Sequence, residues 1–363
     1  MRKNSYHSYR GRRSSGRSAL AIVLVLVLAA ACSVLFLQRY IIYSDDGSIR
    51  LELPFAAGEK EPPAGGKEPA LSPPEMSLVV EDPAPTPPVE PEEPAGSPYG
   101  VHRLVELTQL PNDAAALAAR LQEAGANGFV YRLRDNTGRV FYDSAAAVSS
   151  AAVGTVGTAE QLSTLCQAEG VVSVARFNCF HDSYYAWLNM ESAGVCQSNG
   201  YIWYDNLSYH WLDPAKEQAR AYVIALALEC AQMGFDELLL EDVYYPTQGK
   251  LSKIDYSGST MGKDAAIELF LNELRNALAG YDMKVTLLAP EALIGPESEA
   301  FTAVSGLSAG AAQRLFDAVY MAGSDPSAAE AALAAAAEEG ESAAFVPVTA
   351  DTTAAENWLI PAP

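Results

Sequence analysis

Histidine is scarce in this chain, with four in 363 residues, and one of them, His7, precedes the first apolar run. Neither an HExxH pair nor a paired CxxC occurs, so a zinc enzyme is not expected and no metal or cofactor is called for. The GxSxG elbow of serine hydrolases is also missing. No glycine-rich loop follows the first predicted strand, which removes the main reason to expect a nucleotide. Basic residues are few: 24 Lys+Arg face 45 Asp+Glu, for a net charge of −21. A bulk charge of that sign repels phosphate backbones and excludes general nucleic-acid binding.

The basic residues that exist are unevenly placed. Arg2, Lys3, Arg10, Arg12, Arg13 and Arg17 all fall in residues 1–18, with no acidic partner. Residues 19–37, ALAIVLVLVLAAACSVLFL, carry no charge. As a helix they would rise roughly 28 Å, enough to span a hydrocarbon core. Basic residues before the span put the N-terminus in the cytoplasm and the remainder outside the cell. The competing reading is a signal cleaved or lipidated near Ala31-Cys32, although the apolar run continues past Cys32. N-terminal sequencing separates the two, because cleavage would leave a chain beginning at Cys32 or Ser33.

Residues 38–55 hold two β-rich runs around Asp45-Asp46-Gly47, a hairpin signature. Residues 56–98 follow with 12 Pro and nine acidic residues against two Lys. They have too little apolar surface to repay ordering, so they read as an extended spacer.

Residues 99–363 alternate between strand and helix patterns. Strands are expected at Val101–Leu107, Gly128–Leu133, Val171–Phe180, Asp236–Glu241, Met283–Leu288, Phe316–Met321 and Ala343–Val348. Helices are expected at Asp113–Ala124, Thr158–Glu169, Ala215–Met233, Gly262–Leu278 and Ser327–Glu339. Asp213 is the expected cap, and Pro214 the first residue, of the third helix. The length is near the roughly 250 residues of a (β/α)8 barrel. The fold class is therefore α/β, a TIM-type barrel in which only Asn357–Ile360 remains for the last strand, so an incomplete or irregular closure is expected there; an open doubly wound sheet is the alternative, without the glycine-rich loop that would favour it.

Candidate chemistry lies where a barrel keeps it, after the C-terminal ends of strands. Glu241 and Asp242 follow the fourth strand and point to opposite sides by alternation. Glu291 follows the fifth. His181-Asp182 opens a long segment, 181–212, that is dense in aromatic residues and includes Trp203 and Trp211. Glycoside hydrolysis needs two carboxyl groups across one bond, and aromatic faces suit the apolar faces of sugars. The same rings can equally pack the loop against itself. Cys166 and Cys230 read as buried thiols, whereas Cys179 and Cys196 are a conceivable disulfide.

Three motifs carry a family resemblance. Ala175, Arg176, Phe180 and Asp182 match ARxxxFxD. Trp211-Leu212-Asp213-Pro214 matches WLDP. Gly234-Phe235-Asp236-Glu237 with Pro246 matches GFDEIxFDYxRFP. Over most of residues 100–325 the chain resembles the putative glycoside hydrolase domain of membrane-anchored or secreted bacterial proteins, and DDGSIRLELPF is similar to a segment that precedes such domains. The pattern departs at its end: the family's Asp is Glu241 here, its Tyr is Asp242, and its Arg is Tyr244. A chitinase-type acid would fall near Val243, which has no proton to give.

The resemblance implies a (β/α)8 barrel acting on a polysaccharide or cell-wall glycan. By analogy with α-amylase-like barrels, Glu241 would be the nucleophile and Glu291 the acid, with Arg176 opposing the charge of Glu241. Substrate contacts would come from Arg176, His181, Asp182, Trp203, Trp211, Asp242 and Tyr244. The alternative is an inactive carbohydrate-binding or scaffold domain on the same barrel.

Overall fold

The computed structural model describes residues 41–43, 49–51, 99–148, 157–338, 342–353 and 355–362. The chain divides into two units, 1–87 and 88–363. In the first, Ile41–Tyr43 and Ile49–Leu51 pair antiparallel, with Ile41 opposite Leu51. The basic tail 1–18, the apolar span 19–37 and the spacer 56–98 lie outside the described residues. Among the described residues, no helix is long and apolar enough to cross a membrane.

The second unit is built around a closed parallel barrel. Its strands are β1 Arg103–Leu107, β2 Gly128–Arg134, β3 Val172–Asn178, β4 Glu237–Glu241, β5 Lys284–Ala289, β6 Ala318–Ala322, β7 Ala344–Val348 and β8 Trp358–Ile360. Each pairs with its neighbour in sequence. The three-residue β8 closes the ring, pairing along Arg103–Val105 on one side and through Leu359 with Val348 on the other. The short last strand is therefore complete enough to seal the barrel.

Helices cover the outside, as βαβ connections require. They are α1 Ala114–Ala124, α2 Ala159–Cys166, α3 Ser183–Leu188, α4 Glu217–Gln232, α5 Lys263–Leu278, α6 Ser298–Ser305, α7 Ala309–Leu315 and α8 Pro326–Ala335. The α1 helix shows why the sequence fixes its ends. The Asp113 side chain accepts the Ala116 amide at 2.8 Å, and Gly125 ends the helix in the left-handed region at φ 65°. Helix α4 differs from expectation at its start. Asp213 spends its carboxylate on the Ala215 amide, 3.0 Å away, so Asp213 and Pro214 belong to a turn. The helix begins at Glu217 behind an uncapped Lys216. Its expected apolar face of Tyr222, Val223, Leu226 and Cys230 is buried.

Strand alternation separates two cores. Phe129, Tyr131, Ala175, Phe177, Leu238 and Leu240 face outward into the helix layer. Leu104, Val130, Val174, Leu239, Tyr320, Val346 and Leu359 fill the barrel. Below this inner layer lies a polar floor. Glu237 is fully buried and accepts the hydroxyls of Tyr99 at 2.6 Å and Thr286 at 2.7 Å. Burial raises its carboxyl above the ordinary range despite those bonds. Burial, helped by Lys284, pushes His102 beside it down to about 4. Conservation of stability rather than chemistry is the usual business of this end of a barrel.

All four cysteines of this unit are free thiols, Cys179 and Cys196 included. Cys179 is wholly buried in the outer core. The Cys196 thiol instead donates to the Met190 carbonyl at 3.2 Å. The considered disulfide is thus not formed, and the fold rests on packing.

Candidate active site

The top layer of the barrel is charged. Glu106, Arg132, Arg176 and Glu241 occupy positions in step with the inward-facing Leu104, Val130, Val174 and Leu239. Arg176 is the keystone. Its Nη1 donates to both oxygens of Glu106, at 2.7 and 2.9 Å, and its Nη2 donates to Glu241 Oε1. The amide of Ala362 also donates to Glu106, at 3.1 Å. Glu241 keeps 18% of its side chain exposed against 5% for Glu106. Glu241 is therefore the carboxylate of this network that solvent or substrate can reach.

One residue further on, the chain changes hand. Asp242 has φ 48°, a left-handed backbone that Asp tolerates better than most residues. Its side chain lines a cleft of ≈ 230 Å3 with His181, Asp205, Leu207, Trp211 and Tyr244. Strain of this kind tends to persist where surrounding contacts over-determine it, and here they do. Asn178 Nδ2 donates to Asp242 Oδ2 at 2.7 Å, and the Tyr244 hydroxyl donates to Oδ1 at 2.9 Å. His181 Nδ1 lies 3.3 Å from Oδ2.

His181 sits between two acids. Its Nε2 is 2.9 Å from Asp205 Oδ2, an ion-pair contact whose angle falls short of an aligned hydrogen bond. Its ring stacks on Trp211 at 4.3 Å. The indole of Trp211 donates to the same Asp205 oxygen at 3.1 Å. One wall of the cleft is thus aromatic and the other acidic, the combination that small-ligand sites use for contact area plus orientation.

Burial alone would raise the Asp242 carboxyl, but the bonds from His181, Asn178 and Tyr244 outweigh it and hold the group below the ordinary carboxylate range. An acid depressed in the fold contributes stability that is complete above its unfolded value, near 4, and is lost as pH falls through the lower folded value. Asp242→Asn is therefore expected to lower the denaturation midpoint at about pH 6.5 and to have a smaller effect near pH 2.5. Asn accepts the left-handed backbone as readily as Asp, so the exchange reports the charge. Urea titrations at the two pH values check this, and equal losses at both would contradict it.

The remaining predicted residues fall elsewhere. Asp182 is wholly buried, with one oxygen bound to Arg134 and the other accepting the Tyr185 amide at 2.6 Å as the cap of α3. Trp203 is 1% exposed and donates its indole N–H to the Lys250 carbonyl at 3.1 Å. Both residues hold the 181–212 segment in place, and neither faces the cleft. Glu291 opens a short turn just after β5, at the same end of the barrel as Glu241. Its side chain is exposed, and no described residue bonds to it.

The structure also brings in residues that sequence reasoning passed over. Glu106 and Asn178 are strand residues that orient Arg176 and Asp242. Asp205 organises the whole cleft edge, because its Oδ1 accepts the amides of Leu207 at 2.8 Å and Tyr209 at 3.0 Å. The Asp205-Asn206 pair is a readable turn signal, although nothing local points it at His181. Among the described residues there is no group of three or more potential metal ligands.

Comparison with known proteins finds a matching family and similar solved structures. The model of a family described as "Putative glycosyl hydrolase domain" matches residues 107–288. Among solved structures, a hypothetical protein from Ruminiclostridium thermocellum is similar at 24% identity and a TM-score of 0.41, covering 48% of this chain and 92% of its own. The PgaB (BpsB) glycoside hydrolase domain from Bordetella bronchiseptica is similar at 16% identity and a TM-score of 0.47, covering 73% and 94%. No curated protein matches.

Proposed function

This chain belongs to the glycosyl hydrolase domain family whose model it matches, and on that premise we propose that residues 99–363 cleave glycosidic bonds of a polysaccharide at the C-terminal mouth of the barrel. The observation that carries the reading is Glu241. It ends β4, faces the barrel axis, remains partly exposed and is paired with Arg176. The end of a barrel strand is where catalytic groups of this fold sit. In this reading Glu241 attacks the anomeric carbon, with Arg176 supplying the opposing charge, and Glu291 protonates the leaving oxygen. His181, Asp242, Trp211 and Tyr244 hold a sugar ring in the cleft. Residues 19–37 anchor the chain in the membrane with its N-terminus in the cytoplasm, and the spacer holds the barrel off the outer surface.

The two carboxyl roles separate by leaving group. An acid catalyst matters for a poor leaving group such as a sugar hydroxyl and hardly at all for dinitrophenolate, which departs unprotonated. Glu291→Gln, which also removes the base for the water that releases the glycosyl-enzyme, is expected to lower kcat/KM for the polysaccharide about a hundredfold while leaving kcat/KM for dinitrophenyl glycosides, which reports only the first step, nearly unaffected. Equal losses on both substrates, or none on either, would overturn the assignment.

One observation favours a second reading, a glycan-binding domain without turnover. The Glu291 side chain stands in solvent with no described residue bonded to it, and the family's Asp-Tyr pair is Glu241-Asp242 here. Binding of a polysaccharide with no release of reducing ends would select it.

A further inference from the structure

Beside the cleft, across the 205–211 turn, lies a second groove of ≈ 630 Å3 along α3. Trp187 stands out on that helix with 59% of its surface exposed. Its ring lies 5.4 Å from His210 at an interplanar angle of 26°. Thr137, Arg139 and Ser208 bring hydrogen-bonding groups to the groove. A bare indole face with donors and acceptors around it is what a pyranose ring requires, apolar C–H faces in the middle and hydroxyls at the rim.

The groove and the cleft are two sides of one turn. Asp205 Oδ1 accepts the amides of both Leu207 and Tyr209, and Ser208 between them is left-handed at φ 67°. Leu207 then faces the cleft and Tyr209 the groove. Asn136 and Thr137 divide in the same way, one lining each hollow.

Size makes this arrangement informative. The cleft, at ≈ 230 Å3, is smaller than the roughly 300–1,000 Å3 of sites that enclose a whole small ligand. It has room for about one sugar ring, and the rest of any longer chain must lie along an adjoining wall. We infer that the groove is a second glycan subsite, in which Trp187 stacks on one unit of a polysaccharide whose neighbouring units reach the cleft. The substrate is thus a polymer and not a small glycoside. This rests on the hydrolase reading for what the cleft holds. Charge narrows the class further: residues 99–363 carry 14 Lys+Arg against 33 Asp+Glu, which disfavours uronic-acid and sulfated chains and suits neutral or amino-sugar ones.

Trp187 can be read selectively, because Trp203, Trp211 and Trp358 are 1%, 6% and 3% exposed. Acrylamide quenching of the full chain, with and without hydroxyethyl cellulose, xylan or chitosan, should show Trp187 shielded by at least one of them. In native gels cast with that polymer, Trp187→Ala should weaken retention about tenfold, and Trp187→Phe should restore most of it. Cleavage of dinitrophenyl glycosides should stay unchanged in both variants. Retention of Trp187→Ala equal to wild type, or no shielding by any of the three polymers, overturns the inference. Trp187-dependent retention without any hydrolysis keeps the subsite and removes the hydrolase reading. Cleavage of aryl glycosides without shielding does the reverse.

Discussion

Glu241→Gln should reduce cleavage of any substrate, activated or not, by roughly a thousandfold or more. The reason is geometric. Gln keeps the length and hydrogen-bonding reach of Glu, so the amide oxygen can still accept from Arg176 Nη2. What is lost is the negative charge aimed at the sugar. A nucleophile is needed whatever leaves, and this distinguishes Glu241 from Glu291, whose loss an activated leaving group compensates in the first step. The variant should fold, because Arg176 retains both bonds to Glu106, and its retention by polysaccharide gels should match wild type. Turnover within about tenfold of wild type would move the nucleophile elsewhere, and Asp242, one residue on, would be the next to examine.

The second large effect is on stability. Asp182→Ala should lower the stability of the domain by about 3–5 kcal/mol, the usual cost of leaving one member of a buried ion pair alone. Neither side chain of the Arg134–Asp182 pair has any exposed surface. Removing Asp182 strands a guanidinium in the core and also uncaps α3. Arg134 does more than pair, since its Nη1 donates to the carbonyls of Asn178 and Cys179, the latter at 2.7 Å. Those carbonyls belong to the stretch that presents Asn178 and His181 to Asp242. Gly138 packs against the pair, and a Cβ there would come within 2.4 Å of Asp182 Cγ at a backbone φ of 87°. The double variant Arg134→Met/Asp182→Leu should recover part of the loss, because two apolar groups carry no stranded charge. Chemical denaturation of the three proteins measures this. A loss under about 1 kcal/mol for Asp182→Ala would mean the pair is no more than a surface-type bridge.

The barrel was readable because its signals are local. Seven strands follow from apolar runs at βα spacing, and caps such as Asp113 and Thr158 act within three residues of themselves. The position of Glu241 follows from alternation along β4. Other features depend on partners far away in the chain. Asp182 matches a family motif and sits beside His181, yet one of its oxygens is claimed by Arg134, 48 residues earlier, and the other by the Tyr185 amide. Trp203 shares an aromatic-rich segment with Trp211, but only tertiary packing sends one ring under Lys250 and the other against His181. The left-handed backbone at Asp242 is fixed by contacts from Asn178, His181 and Tyr244, and Asp-Val gives little warning of it. Helices α3, α6 and α7 are each eight residues or shorter, too brief for a helical period to stand out.

A hydrolase of this kind must release reducing ends through Glu241. The direct measurement is release of reducing ends from the polymer that shields Trp187, by the wild-type chain and by Glu241→Gln at matched concentration. Steady release by the wild type and none above background by the variant is expected, with both retained equally in the gel. Binding by both and release by neither would contradict this expectation and leave a glycan-binding barrel.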